Sequence, residues 1–239
     1  PPAKRAPADM VEAEEEDVDQ PDGIILIRAI QLMSEGHFQE NQDICREQPN
    51  NVRTFNLLDD FVNYLSFLSK NPSNESTEAA IKVAGTILEV IQGPCVQNQK
   101  YFAMSTELIE ILNRMMRVKG GPDSDEESED ELKKTGLEIF QALLEGQSKG
   151  SEIYERILSV IHLDVLQVMA CAGAGEEQSS TPAGDNSDDD DDDDPKGSDE
   201  EDEDEGDDDD EEEGMGEVQT EALVLMQMLC DYKPSLRDE

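Results

Sequence analysis

Tryptophan is absent, aromatic residues make up only 4% of the chain, histidine occurs twice, and 18 lysines and arginines face 60 acids. Each shortage excludes something. Without a basic stripe the chain cannot displace counterions from nucleic acid or hold an anionic lipid surface, so neither is expected as a partner. His37 and His162 are the only histidines. No nucleophile pattern, Gly-rich phosphate loop or metal-ligand spacing accompanies them, so both read as structural or surface residues and no catalytic residue is expected. Cys45, Cys95, Cys171 and Cys230 lie far apart and form no CxxC pair; they read as reduced thiols rather than zinc ligands, and no cofactor or metal centre is expected. No window comes near the roughly 18 uninterrupted apolar residues that a membrane helix needs, and no apolar signal core opens the chain. A cytosol-facing chain with no membrane insertion of its own is the expectation.

What is abundant is negative charge, and it is concentrated. The net charge of the 239 residues is -42, and 22 acids fall between Asp185 and Gly214 against the single base Lys196. So little apolar surface cannot offset the entropy of ordering such a run, and its like charges repel, so 173–216 reads as a disordered, solvated insertion. Residues 1–21, rich in Pro, Ala and Glu, read as a flexible lead. Diffuse attraction of calcium is expected along the insertion, at Asp188, Asp189, Asp190, Asp207, Asp208 and Asp209, as is attraction of basic protein segments. One stretch approaches a calcium-loop pattern, with Glu201, Glu203 and Glu205 at its first, third and fifth positions, Gly206 sixth and Glu212 twelfth. Asp208 holds the usually apolar eighth position and no amphipathic helix flanks the loop, so weak, many-site binding that fades with salt is expected rather than one tight site. Ser124, Ser128 and Ser198 each precede several acids, the setting that acid-directed kinases favour.

Between lead and insertion the apolar residues recur at helical spacing. Asp22 is placed to cap a first helix lined by Leu26, Ile27, Ile30 and Met33 and ending near Gly36, with a more polar helix following to Gln48. After Pro49-Asn50-Asn51, the stripe Phe55, Leu58, Val62, Leu65 and Leu68 predicts a helix up to Asn71-Pro72, and Ile81, Ala84, Leu88 and Ile91 line the next. Gly93-Pro94 ends that helix, a left-handed glycine followed by a residue that cannot continue it. Leu108, Ile111, Leu112 and Met115 mark another helix, and Ser128 with Glu131 predicts a capping box ahead of Leu132, Ile139, Leu143 and Leu144. Ser151 and Asp164 are placed to cap short helices carrying Ile153, Ile157 and Ile161, then Val165, Val168 and Met169. Past the insertion, Val218, Ala222, Leu225, Met226 and Leu229 resume the period until Pro234. Helices of this length with short connections and no alternating strand pattern predict an all-α fold of stacked antiparallel helices, armadillo-like, although no strict sequence repeat is visible. The expected division is a lead at 1–21, a helical domain at 22–172, the insertion at 173–216, a closing helix at 217–234 and a tail at 235–239.

One run goes beyond composition. Ile91-Gln92-Gly93-Pro94-Cys95-Val96-Gln97-Asn98-Gln99 closely resembles the IQGPC-x-NQ signature of the RIH-associated domain of inositol trisphosphate and ryanodine receptors. Upstream, Ile30 to His37 followed by Gln42 and Arg46 to Gln48 is similar to that domain's opening, a FLQLLCE-x-HN run ahead of Q and R-x-Q. Met33-Ser34 replaces its Leu-Cys, and Phe38 replaces its Asn. Downstream, Glu155 to Leu158 and Leu229 to Pro234 resemble the inositol trisphosphate receptor branch, where an acidic loop also precedes the last helix.

The resemblance implies a cytosolic helical domain between a ligand-binding solenoid and the pore of an endoplasmic-reticulum calcium-release channel. Its implied partners are other domains of the channel and neighbouring subunits, and its implied work is the relay of conformational change. Physically, Gln92, Asn98 and Gln99 beside Gly93, Pro94 and Cys95 suit a polar corner whose side chains cap helix ends and tie helices together. The alternative is a free-standing acidic adaptor or chaperone that holds basic proteins such as histones. A gene continuing past Glu239 into apolar runs of membrane length separates the two.

Overall fold

The computed structural model describes residues 22–117, 125–148, 150–172 and 216–238. They form α1 (Asp22–Ser34), α2 (Gln39–Arg46), α3 (Leu57–Lys70), α4 (Asn74–Ile91), α5 (Val96–Ser105), α6 (Leu108–Met115), α7 (Glu126–Leu144), α8 (Glu152–Val160), α9 (Leu163–Cys171) and α10 (Glu217–Tyr232), with a closing 3₁₀ turn at Pro234–Asp238. No strand occurs among the described residues, and the fold is all-helical. The lead, the acidic insertion and the calcium-attracting aspartates Asp188, Asp189, Asp190, Asp207, Asp208 and Asp209 lie outside the described residues, as do Ser124 and Ser198.

The helices stack with a period of three. α4 packs against α1 on one side and α7 on the other, and α7 packs in turn against α10. The smaller contacts α2 to α5, α3 to α6 and α5 to α8 keep the same spacing. A three-helix unit therefore repeats in the packing although no repeat is visible in the sequence, because a solenoid asks only that the right faces be apolar.

Local chemistry sets the elements. Asn56 caps α3, its side-chain oxygen accepting the Leu58 N–H at 3.1 Å, so the helix begins after Phe55, which is exposed and outside the stripe expected of it. Leu58, Phe61, Val62, Leu65 and Leu68 are buried. Ser73 and Ser76 form a reciprocal capping box at the start of α4. That helix buries Ala80, Val83, Ala84, Ile87, Val90 and Ile91. Such a spread exceeds one stripe because α1, α3 and α7 all lie against it.

Four further expectations are corrected. In α1 the core residues are Ile24 and Ile27, while Leu26 and Met33 point outward; the helix is apolar on both faces, so its period alone does not fix its orientation. α5 has no predicted counterpart, because its buried face is Asn98, Gln99, Phe102 and Ala103 and two amides hide the apolar period. α7 starts earlier than a Ser128 cap would place it. Asp125 is the cap, its carboxylate accepting the Ser128 N–H at 3.3 Å and hydroxyl at 2.8 Å. With Glu126, Glu127 and Glu129 in the first turn, negative charge gathers at the positive end of the helix dipole. α9 is preceded by His162, whose backbone N–H donates to Asn113 Oδ1 at 3.1 Å. Asp164 sits inside its first turn, and Leu166, not Val168, is the buried residue. Ser151 does cap α8, accepting the Ile153 N–H at 3.3 Å.

Candidate functional site

The chain turns between α4 and α5 in four residues. The Gln92 N–H closes on Leu88 O at 3.0 Å, and the Cys95 N–H returns to Ile91 O at 3.0 Å. Gly93 between them has φ +95°, the left-handed region that disfavours a Cβ. There is no space for one either. A Cβ at Gly93 would lie 2.6 Å from the Cβ of His37, which itself has φ +60° in the α1–α2 connection. Pro94 reaches toward the end of α7, where a Cβ on Gly146 would stand 3.0 Å from Pro94 Cγ. The corner is thus wedged between the connection after α1 and the connection after α7.

Three buried amides tie it down. Asn98, fully buried, donates through Nδ2 to Val90 O and to Gln42 O, each at 2.9 Å, and its Oδ1 accepts from the Arg46 guanidinium. Gln42 on α2 donates to Glu89 O at 2.7 Å and Gln92 O at 2.9 Å. Gln99, also fully buried, faces the other way. Its Nε2 donates to Ala142 O at 2.6 Å and Glu145 O at 3.1 Å, and its Oε1 accepts from Gln147 at 3.1 Å. Most of these acceptors belong to the last turns of α4 and α7, whose terminal carbonyls have no partner within their own helix. Arg46 also pairs with Asp43 at 2.8 Å. Each such bond contributes about 1 kcal/mol net, and a buried acceptor left bare costs about 1–3 kcal/mol.

Of the residues singled out in the signature, Cys95, Asn98 and Gln99 are buried in this network, and Gly93 and Pro94 form its exposed elbow. Gln92 is half-buried and borders a groove with His37, Glu138, Gln141 and Glu221. Gln42 and Arg46, some fifty positions upstream, come from the second similar block, and the fold brings the two blocks into hydrogen-bonding contact. The α7 end and Gln147 carried no signal of their own.

The chemistry is that of hydrogen-bonded amides. Burial pushes the Cys95 thiol up, with the backbone hydrogen bond at Asn98 opposing, and burial likewise raises Cys45, so neither is poised as a thiolate. Among the described residues no group of three or more His, Cys, Asp or Glu is arranged to hold a metal ion. No helix of the described residues is long and apolar enough to cross a membrane. Residues 22–116, which span α1 to α6, match the family described as RyR and IP3R Homology associated. The amide network begins inside this stretch and ends outside it, on α7.

Proposed function

We propose that this chain, which carries the RyR and IP3R Homology associated domain over residues 22–116, is a non-catalytic coupling module of an intracellular calcium-release channel. In this reading it stands on the cytosolic face of the endoplasmic reticulum and passes conformational change from ligand-binding regions toward the pore. Its partners are other domains of the channel and neighbouring subunits, in the inositol trisphosphate receptor branch. The observation that supports the reading is the way Asn98 and Gln99, adjacent on α5, grip α2 and α4 on one side and the end of α7 on the other. Buried, fully hydrogen-bonded groups tolerate little relative movement, so a displacement of α2 is handed on to α7 rather than absorbed locally.

The test is calcium release from intracellular stores, triggered by inositol trisphosphate, in cells whose only receptor is the protein expressed from its own gene. Asn98→Ala and Gln99→Ala should lower release per receptor, with abundance measured and divided out, while ligand binding per receptor stays at the parent level. Release unchanged in both variants, or no triggered release from the parent, would remove the coupling role.

A further inference from the structure

The start of α7 carries a serine that the amide corner does not use. Ser128 is half-buried in the first turn, where its hydroxyl donates to Asp125 Oδ2 at 2.8 Å and its N–H donates to the same oxygen at 3.3 Å. Both bonds run from serine to aspartate, so one of the two that hold the cap depends on the hydroxyl hydrogen. In sequence Ser128 is followed by Glu129, Asp130 and Glu131. The helix sets the third of these one turn on and on the same face, and Ser128 and Glu131 border one groove between α1, α4 and α7. Among the serines that precede runs of acid, Ser128 is therefore one whose hydroxyl already has a structural task.

We propose that Ser128 is a phosphoacceptor for an acid-directed serine kinase, and that its phosphorylation uncaps α7. The kinase transfers the γ-phosphoryl group of ATP to Ser128 Oγ; the P–O bond to ADP breaks, the hydroxyl proton passes to the kinase, and ADP leaves. The first turn opens for the transfer, and a helix end with Glu126 and Glu127 exposed is the part of α7 that opens most readily. Once modified, the oxygen that donated to Asp125 has no hydrogen to give. A group of about −1.5 to −2 charge then stands against the carboxylate it had bonded. The α7 dipole favours an anion at this end, but Asp125, Glu126, Glu127 and Glu129 already occupy it. In the groove Arg28 and Lys82 are outnumbered by Glu78, Glu89, Glu131 and Glu138. Repulsion therefore wins: Asp125 leaves and the first turn of α7 frays. The site stands whether or not the chain relays gating, and it is tested without measuring calcium.

The test uses the purified 239-residue chain in two arms. With an acid-directed serine kinase and Mg-ATP, mass spectrometry should find phosphate on Ser128. Glu131→Gln should slow its appearance there several-fold, while phosphate on Ser198, which is followed by Asp199, Glu200 and Glu201, accumulates at the parent rate. In the second arm phosphoserine is installed at position 128 alone during translation. Amide exchange over 129–133 should then quicken about five- to tenfold, the loss of protection expected of a missing cap. In Asp125→Asn the same modification should leave exchange at that variant's unmodified rate, because asparagine caps as well as aspartate and its amide carries no charge to repel the phosphoryl group. No phosphate on Ser128, a parent rate in Glu131→Gln, exchange unchanged or slowed by phosphoserine, or the same quickening in Asp125→Asn would each overturn the proposal.

Discussion

Where α3 meets α4 the buried surface is Leu58, Phe61, Leu65, Val83 and Ile87, and where α4 turns into α5 it is Gln42, Cys95, Asn98 and Gln99. Both regions exclude water, and both hold α4. The first does so through area, with no preferred direction, at about 25 cal/mol for each Å² of apolar surface buried. The second does so through bonds with fixed partners and angles, worth little each when made and more when broken. An aliphatic layer can slide and repack; a set of amides on helix-end carbonyls holds one register. The difference separates the part of the fold that supplies stability from the part that fixes geometry.

The largest effect is expected at the elbow itself. Gly93→Val combines a left-handed backbone with a Cβ driven into His37, so about 2–5 kcal/mol of unfolding free energy should be lost in urea titration, from strain and overpacking together. Gly93→Ala shares the clash without the branching and should lose less, and Pro94→Ala least, since that site loosens the turn without filling space. Parent-like stability in Gly93→Val would mean that the corner does not need its left-handed glycine.

The contrast sharpens with substitutions that conserve volume. Leu65→Met should cost less than about 1.5 kcal/mol, because shape is nearly kept. Asn98→Leu strips partners from Val90 O, Gln42 O and Arg46 at once and should cost about 2–3 kcal/mol. Equal losses in the two variants by thermal unfolding would erase the distinction between an aliphatic layer and an amide joint.

Most of the helical layout was legible, because α3, α4, α6, α8 and α10 bury aliphatic residues at the spacing that defines them. The corner was legible in another way. Gly93-Pro94 announced a left-handed cap, but α5 itself was invisible to periodicity because Asn98 and Gln99 occupy core positions. A buried amide looks like a surface residue until the carbonyls it serves are known, and those of Ala142 and Glu145 are more than forty positions away. The orientation of α1 was ambiguous for the opposite reason, an excess of apolar residues. The cap of α7 was misplaced because several acids and serines near residue 125 satisfy the same pattern.

The smallest predicted effect concerns charge beside the joint. Burial raises the pKa of Glu138 on α7, with Lys134 opposing and Glu221 and Glu217 adding to the rise. A carboxyl whose folded pKa lies above its unfolded value favours folding when protonated, and that contribution is lost as pH rises through the folded value. At neutral pH the ionised group therefore works against the fold. Glu138→Gln should raise Tm at pH 7, with the gain disappearing in acid below the ordinary carboxylate range. A gain of the same size at both pH values would assign the effect to packing.

The grips on either side of α5, Gln42 on α2 and Gln99 on α5 itself, offer the most direct test of the corner as a coupling joint. Gln42 serves the end of α4 and Gln99 the end of α7, and they share no hydrogen bond; Asn98 lies between them in the network. A double-mutant cycle of Gln42→Ala and Gln99→Ala, measured by urea unfolding of the 239-residue chain, reads whether the two grips act as one. The joint predicts an interaction energy above about 0.5 kcal/mol, whereas losses that add within about 0.3 kcal/mol would reduce the corner to two independent helix caps.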